Sequence, residues 1–264
     1  MERWQPPDYY RGLHLDSSEF RAAVSRLEQK GHKLACAILD PVLCSERILD
    51  LEPSYAQNLL QATHDHGGLW VADEVQSGHG RTGSHMWAFA RLGLRPDIVT
   101  LGKPMGNGHP VAAVVTRREI AQAFVDKEGV FFSTFGGNPV SAAAAHAVLD
   151  VIEDERVLER VVAAGSALRA ATLEVTKDCP RVGDVRGVGL VNSVEFVTDR
   201  QTKEPDTAAA QAVRSALRAR GVLVGTTGEH SNCLKIRPPL AFTEKEVPVW
   251  AEALRGAIRD AGLL

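Results

Sequence analysis

Cysteine is scarce and poorly placed for a framework. Cys36, Cys44, Cys179 and Cys233 are the only four in 264 residues, and no two stand at CxxC spacing. That excludes a disulfide-dense scaffold and leaves reduced thiols in ordinary packing, with no metal-ligand set to assign. Long apolar runs are missing too, and the opening Met1-Glu2-Arg3-Trp4-Gln5-Pro6-Pro7 has no basic stretch leading into an apolar one. A soluble, cytoplasmic chain with no membrane partner is the expectation. Neither sign of charge is in large excess, since 30 basic residues face 33 acidic ones for a net charge of -3. No basic stripe interleaved with aromatics occurs, so a nucleic-acid partner is not expected and a small-molecule one is. Internal repeats and low-complexity tracts are absent.

What is present suits a folded α/β protein. With 44% hydrophobic and 24% charged residues, the chain can bury a sizeable core. Apolar runs bounded by turn residues alternate with amphipathic stretches. The pattern predicts a strand over Leu34–Leu39, a helix over Pro53–His66 and a strand over Leu69–Ala72 ending in Asp73, which together make one βαβ unit. A helical patch at Met86–Arg91, a strand at Ile98–Leu101, a strand at Val111–Val115, and helices at Arg118–Phe124 and Pro139–Glu153 follow. Beyond Arg156 the expectation is a helix over Leu158–Val175 and strands over Val182–Arg186 and Leu190–Phe196. A helix over Thr207–Arg218, strands near Val222 and Leu234, and a closing helix over Glu244–Ala261 complete it. The break in pattern divides the chain into residues 1–156 and 157–264.

Several residues stand where chemistry is usually done. Parallel strands deliver their carboxyl ends to a common edge, the customary ligand site of open α/β sheets, and Asp73 ends such a strand. Lys103 follows another, inside Leu101-Gly102-Lys103-Pro104-Met105-Gly106, where Gly102 and Gly106 admit close approach and Pro104 stops a helix from forming. Taken singly, these features have ordinary readings. A lysine in a glycine-rich loop is a solvated residue or a phosphate contact, and Asp73 a cap or a surface acid beside Arg81. Ser133 or Thr134 would cap the helix that begins at Pro139, and Arg237 would be a surface residue beside Pro238-Pro239.

Their conjunction is more specific. Asp73-Glu74-Val75-Gln76, then Gly80-Arg81-Thr82-Gly83, then Pro96-Asp97-Ile98-Val99 running into Leu101-Gly102-Lys103, resembles the lysine-motif region of class III aminotransferases. Ser133-Thr134-Phe135-Gly136-Gly137-Asn138-Pro139 and Leu234-Lys235-Ile236-Arg237-Pro238-Pro239-Leu240 resemble two further family segments. The resemblance implies the fold of a PLP-dependent transferase, as a partial, mainly parallel large domain (1–156) followed by a small α+β domain (157–264). It implies pyridoxal 5'-phosphate held by Lys103 as a Schiff base, Asp73 on the ring nitrogen, and Val75 and Gln76 beside the ring, Gln76 near its hydroxyl. Thr134 would reach the cofactor phosphate of a neighbouring subunit, making the protein a homodimer, and Arg237 would take the anionic group of a small amine or amino-acid substrate. Gly102 to Ala112, Phe135 to Ser141 and Gly228 to Ile236 are most similar to ethanolamine-phosphate phospho-lyases and mitochondrial alanine-glyoxylate aminotransferases. Transamination and phosphate elimination therefore both remain open.

Two departures accompany the resemblance. It begins near Pro7-Asp8-Tyr9-Tyr10-Arg11-Gly12 and covers only the later part of a usual family member, without the loop that cups the cofactor phosphate or the aromatic residue that stacks on the ring. Where the family has a glutamate at a strand end, this chain has Asp40 followed by Pro41-Val42-Leu43-Cys44. A fragment of a longer enzyme, half of a split enzyme that needs a complementing chain, and a non-catalytic relative are the three readings that follow.

Overall fold

The βαβ unit is present between residues 36 and 73, preceded by an unforeseen helix. A computed structural model describes residues 1–264. Helix α1 (Ser18–Gln29) buries Phe20, Ala23 and Val24, three positions on one face of a 3.6-residue period. Strand β1 (Cys36–Leu39) follows, then helix α2 (Pro53–Asp65), which starts with Pro53 in its first turn and buries Tyr55, Ala56, Leu59, Ala62 and Thr63. Strand β2 (Leu69–Asp73) pairs parallel to β1. A four-residue helix α3 (Ala88–Arg91) precedes strand β3 (Ile98–Leu101), which pairs parallel to β2 with Asp73 opposite Thr100. Strand β4 (Ala113–Thr116) then pairs antiparallel to β3, so the order is β1-β2-β3-β4.

This sheet is packed on one face. In β1, Ala37 and Leu39 are buried while Cys36 and Ile38 are exposed, which is the period-two alternation of a half-covered strand. Phe20, Val24, Leu39, Leu59, Trp70 and Leu92 form the core beneath it. On the uncovered side Ile38 and Val114 are 55% and 67% exposed, and Val115, on the opposite face of the edge strand β4, is 54% exposed. Strands β1 and β4 each leave one edge unpaired. Helix α4 (Arg118–Glu128) buries none of its residues.

The second half is built on an antiparallel sheet. Helices α5 (Pro139–Asp154) and α6 (Val157–Thr176) lead to strands β5 (Val182–Val188) and β6 (Val191–Phe196). Helix α7 (Thr207–Ala219), strands β7 (Gly225–Thr227) and β8 (Cys233–Ile236), and helix α8 (Val247–Asp260) complete it, in the order β5-β6-β8-β7. Helices α6, α7 and α8 bury Leu168, Val213, Leu217, Trp250 and Leu254 against Val194, Phe196 and Leu234 of the sheet. Two positions differ from expectation. The strand near Val222 lies at Gly225–Thr227, because the Val222 amide closes the end of α7 by donating to the Leu217 carbonyl. The closing helix starts at Val247, after a 3-10 turn at Glu244–Glu246 capped by Thr243.

Two glycines set how the halves meet. Gly189, in the turn between β5 and β6, has φ 52, and a Cβ there would sit 2.5 Å from the Arg81 carbonyl. Gly165 of α6 lies so close to the same turn that its Cβ would come within 2.4 Å of the Gly189 oxygen. Only the absence of both side chains lets α6, the turn and the loop after β2 converge. The Leu190 amide donates to the Arg81 carbonyl at 3.1 Å, and the Arg81 guanidinium donates to the Leu190 and Pro238 carbonyls.

Candidate active site

The carboxyl ends of β1, β2 and β3 point to one edge, and each carries a polar residue. Asp40 follows β1 and accepts from the Val42 and Cys44 amides, both at 2.9 Å. Its carboxylate is thereby committed to capping its own turn, and burial, aided by nearby Asp73, pushes its pKa up. Asp73 ends β2, half-buried. Its Oδ1 accepts from the Val75 amide and the Thr100 hydroxyl, each at 3.1 Å, while Oδ2 takes no bond from the protein. Glu74, the next residue, is fully buried and structural: it accepts from the Phe89 amide and the Ser77 hydroxyl, fixing the loop that carries Arg81.

Lys103 follows β3 by two residues. It is exposed and left-handed, with φ 41, in the first position of a 3-10 turn, Lys103–Gly106. The expectation that Pro104 keeps this segment out of any helix is corrected here. Pro104 sits in the first turn, where its missing N–H costs nothing. The two glycines of the segment also differ in role. A Cβ at Gly106 would come within 2.7 Å of Val111, so Gly106 is required by the fold itself. At Gly102 the nearest protein atoms, on Ala112 and Val75, would lie 3.7 Å and 3.8 Å away, leaving a shallow cradle beside Val75 and Lys103. A lysine held at positive φ costs roughly 1 kcal/mol, and such strain gathers at functional positions.

The closing strand supplies cations. Gln76 carries the tie between the two sheets: its Nε2 donates to the Ser45 hydroxyl, and its Oε1 accepts from Lys235 Nζ at 3.1 Å and Arg237 Nη1 at 2.6 Å. Arg237 Nε is buried without a partner. Arg81, beside it, is pushed down to about 10, by burial first and then by Arg237. Lys235 is also held below the ordinary lysine value, first by burial, then by Arg237 and, more weakly, by Lys103. Lys103 thus belongs to the same electrostatic neighbourhood as Gln76, Lys235 and Arg237.

Thr134 stands apart. It lies in the exposed segment between α4 and α5, and no side-chain bond ties it to the cluster. The expectation that Ser133 or Thr134 caps the next helix is corrected, because Asn138 is the cap of α5, accepting from the Ser141 amide at 2.9 Å. The Ser141 hydroxyl lies 2.8 Å from His109 Nε2, which links the start of α5 to the loop after Lys103. Of the site residues read from sequence, Asp73, Val75, Gln76, Lys103 and Arg237 are brought to one region and Thr134 is not. Lys235 and Arg81 join them without having been singled out. The signal available for Lys235 was its two-residue spacing from Arg237 on a strand, which puts both on one face.

The donor set fits half of a pyridoxal-phosphate site. It has an oriented carboxylate with a free oxygen, a primary amine on the neighbouring strand end, and an arginine with a buried, unpartnered N–H. The family model described as aminotransferase class-III matches residues 9–258. The chain belongs to the class III aminotransferases. Among its class III relatives, one from Caenorhabditis elegans named ethanolamine-phosphate phospho-lyase homolog 1 is 48% identical over 191 residues, 70% of this chain and 41% of its own. A Drosophila melanogaster protein named alanine--glyoxylate aminotransferase 2-like is 42% identical over 218 residues, 82% of this chain and 44% of its own. The solved structure of a phospholyase from Arthrobacter in complex with phosphoethanolamine superimposes with a TM-score of 0.85 at 36% identity, covering 92% of this chain and 57% of that one. The fold is therefore that of the PLP-dependent aminotransferases. The chain spans about half the length of the curated relatives it matches. No helix is long and apolar enough to cross a membrane, and no cluster of potential metal ligands is present.

Proposed function

We propose that the strand-end site takes pyridoxal phosphate and serves amino-group chemistry on a small amine or amino acid, with Lys103 as its covalent attachment point. The observation that supports this most is the pairing of Asp73, oriented by Thr100 with one oxygen left free, and Lys103 on the adjacent parallel strand end. The chemistry supplied by the bound cofactor is an electron sink next to the substrate nitrogen. Asp73 Oδ2 would hold a proton on the ring nitrogen, Val75 and Gln76 would flank the ring, and Arg237 would take the substrate's anionic group. Once released from attachment, Lys103 Nζ would carry a proton from and to the carbon next to the substrate nitrogen. The same residues suit phosphate elimination, in which the proton is removed there and phosphate departs from the neighbouring carbon.

Asp73→Asn tests this reading without touching the lysine. A neutral amide cannot hold the ring proton, so cofactor affinity, followed by absorbance titration of the 264-residue chain, is expected to fall about 10- to 100-fold, the worth of one charge-assisted hydrogen bond. An unchanged titration would remove Asp73 from the role.

A second reading, in which the chain acts as part of a larger assembly, rests on its surface. Val114, Val115, Phe131, Phe132, Phe135 and Val140 are 54% to 84% exposed, the first two on the edge strand of a sheet with two unpaired edges. We take residues 1–156 as a partial large domain and 157–264 as a small one, and the bare side of the former as the seat of a complementing chain or of a second copy that would bring Thr134 to the cofactor. Size-exclusion chromatography should show self-association of the chain alone. A monodisperse monomer across the micromolar range would contradict it.

A further inference from the structure

The loop that carries Lys103 is tied to the rest of the chain by one serine. From Lys103 to Val111 the backbone bonds stay local, with the Met105, Asn107 and His109 amides donating to the Gly102, Pro104 and Gly106 carbonyls at 3.0, 3.0 and 2.9 Å. Those bonds shape the loop without anchoring it. Lys103 and Asn107 are both left-handed, with φ 41 and 44, and such a backbone persists only where its surroundings hold it. The hydrogen bonds that reach another element both come from Ser141 of α5, whose hydroxyl lies 2.8 Å from His109 Nε2 and 3.5 Å from the Pro110 carbonyl.

Ser141 is well prepared for that contact. It is 8% exposed, and Asn138 Nδ2 donates to its oxygen at 2.9 Å, so its own proton is left for the loop, with His109 Nε2 the nearer acceptor. Asn138 is fixed in turn, because its Nδ2 also donates to the Phe135 carbonyl at 2.7 Å and its Oδ1 accepts from the Ser141 amide at 2.9 Å. The helix itself does not need the bond to His109, since Asn138 already caps α5 and Pro139 occupies its first turn. What gains is the loop. We infer that His109 is a positioning residue for Lys103, and that its bond to Ser141 holds the amine at the strand-end site. The inference rests on the reading of Lys103 as the attachment point. Without the bond, the stretch 103–111 would be fixed only where it leaves β3 and enters β4, and Lys103 would sample positions away from Asp73. Its apparent reactivity toward the cofactor would then fall in proportion to the competent fraction.

The test uses the 264-residue chain with pyridoxal phosphate below saturation, followed by borohydride reduction and peptide mass mapping. The readout is the ratio of pyridoxyl label on Lys103 to that on Lys33, an exposed lysine that precedes β1 and so lies at the opposite end of the sheet. His109→Ala and Ser141→Ala should each lower the ratio about three- to tenfold, the worth of one hydrogen bond. His109→Gln, which keeps an amide near the place of Nε2, should restore most of it. The two alanine changes together should cost no more than either alone, because both remove the same contact. A merely structural role predicts instead a lower urea midpoint with the ratio unmoved. An unmoved ratio in His109→Ala, additive losses in the double variant, or no recovery in His109→Gln would each overturn the inference and leave Lys103 in its role. A parent chain that labels Lys103 no better than Lys33 would overturn the reading beneath it, and the inference with it.

Discussion

Lys103→Ala is expected to abolish stable retention of pyridoxal phosphate and to lower turnover, measured in the chain or in its complemented assembly, by about 10³-fold or more. That is the upper range for loss of a positioned proton carrier, to which loss of the attachment point is added. The fold should not register the change. Lys103 is exposed, makes no ion pair and is followed by a turn held by backbone bonds, with the Met105 amide donating to the Gly102 carbonyl and the Asn107 amide to the Pro104 carbonyl. Lys103→Gly should even match or exceed the parent in stability, by up to about 1 kcal/mol, because glycine relieves the positive φ. A side chain that the fold would give up without loss, at the end of a half-buried strand, is there for another purpose. Urea denaturation of the three proteins, set beside their turnover, separates the two effects. Lost turnover that tracked lost stability would contradict the assignment.

The largest expected loss of stability lies elsewhere, at Glu195. Its side chain is 1% exposed, and its two oxygens meet Arg11 Nη2 and Arg186 Nη1, each at 2.7 Å. Arg186 in turn donates to the Ile48 and Arg47 carbonyls, so this one carboxylate joins the N-terminal segment, the loop after Asp40 and the second sheet. Glu195→Ala would strand a mostly buried guanidinium, with only Asp184 left to oppose it at 2.8 Å. The expected cost is about 3 kcal/mol, toward the lower end for a broken buried pair. A shift in the urea midpoint corresponding to less than about 1 kcal/mol would show the network to be dispensable. The pH dependence has a definite sign. Burial alone would raise the Glu195 pKa, but Arg186 and Arg11 outweigh it and hold the group below its ordinary value of 4.5. A carboxylate with a depressed folded-state pKa stabilises fully above the unfolded value, and that stability is lost as pH falls through 4.5 and on through the folded value. The parent should therefore lose stability on acidification below about pH 4.5 more steeply than Glu195→Gln.

Sequence and structure agree most closely where local and tertiary signals coincide. Ile98–Leu101 was readable to the residue because Pro96-Asp97 and Gly102 bound a short apolar run, and β2 because its apolar stretch ends at Asp73. Helix α1 was not, since only three of its twelve residues reach the core and its sequence is largely polar. Val222-Leu223-Val224 looks like a strand, yet Leu223 is 81% exposed, and the true strand, Gly225-Thr226-Thr227, has no apolar residue and is fixed by its partner β8 and by the Thr227 hydroxyl on the Cys44 and Ser45 carbonyls. The same division holds for the site. Asp73 and Lys103 were legible from motif spacing, and their strand-end placement followed from the βαβ pattern. The convergence of Lys235 and Arg237 on Gln76 was not, because it depends on how the second sheet docks through Gly165 and Gly189, a contact with no local signature.

The proposed cofactor chemistry depends on Lys103 being the amine that engages the cofactor aldehyde. The direct measurement is to incubate the chain with pyridoxal phosphate, reduce with borohydride and map the modified peptides by mass. The account predicts one dominant pyridoxyl adduct, on the peptide carrying Lys103 and absent in Lys103→Ala. An adduct spread evenly over exposed lysines, or concentrated on Lys235, would contradict it.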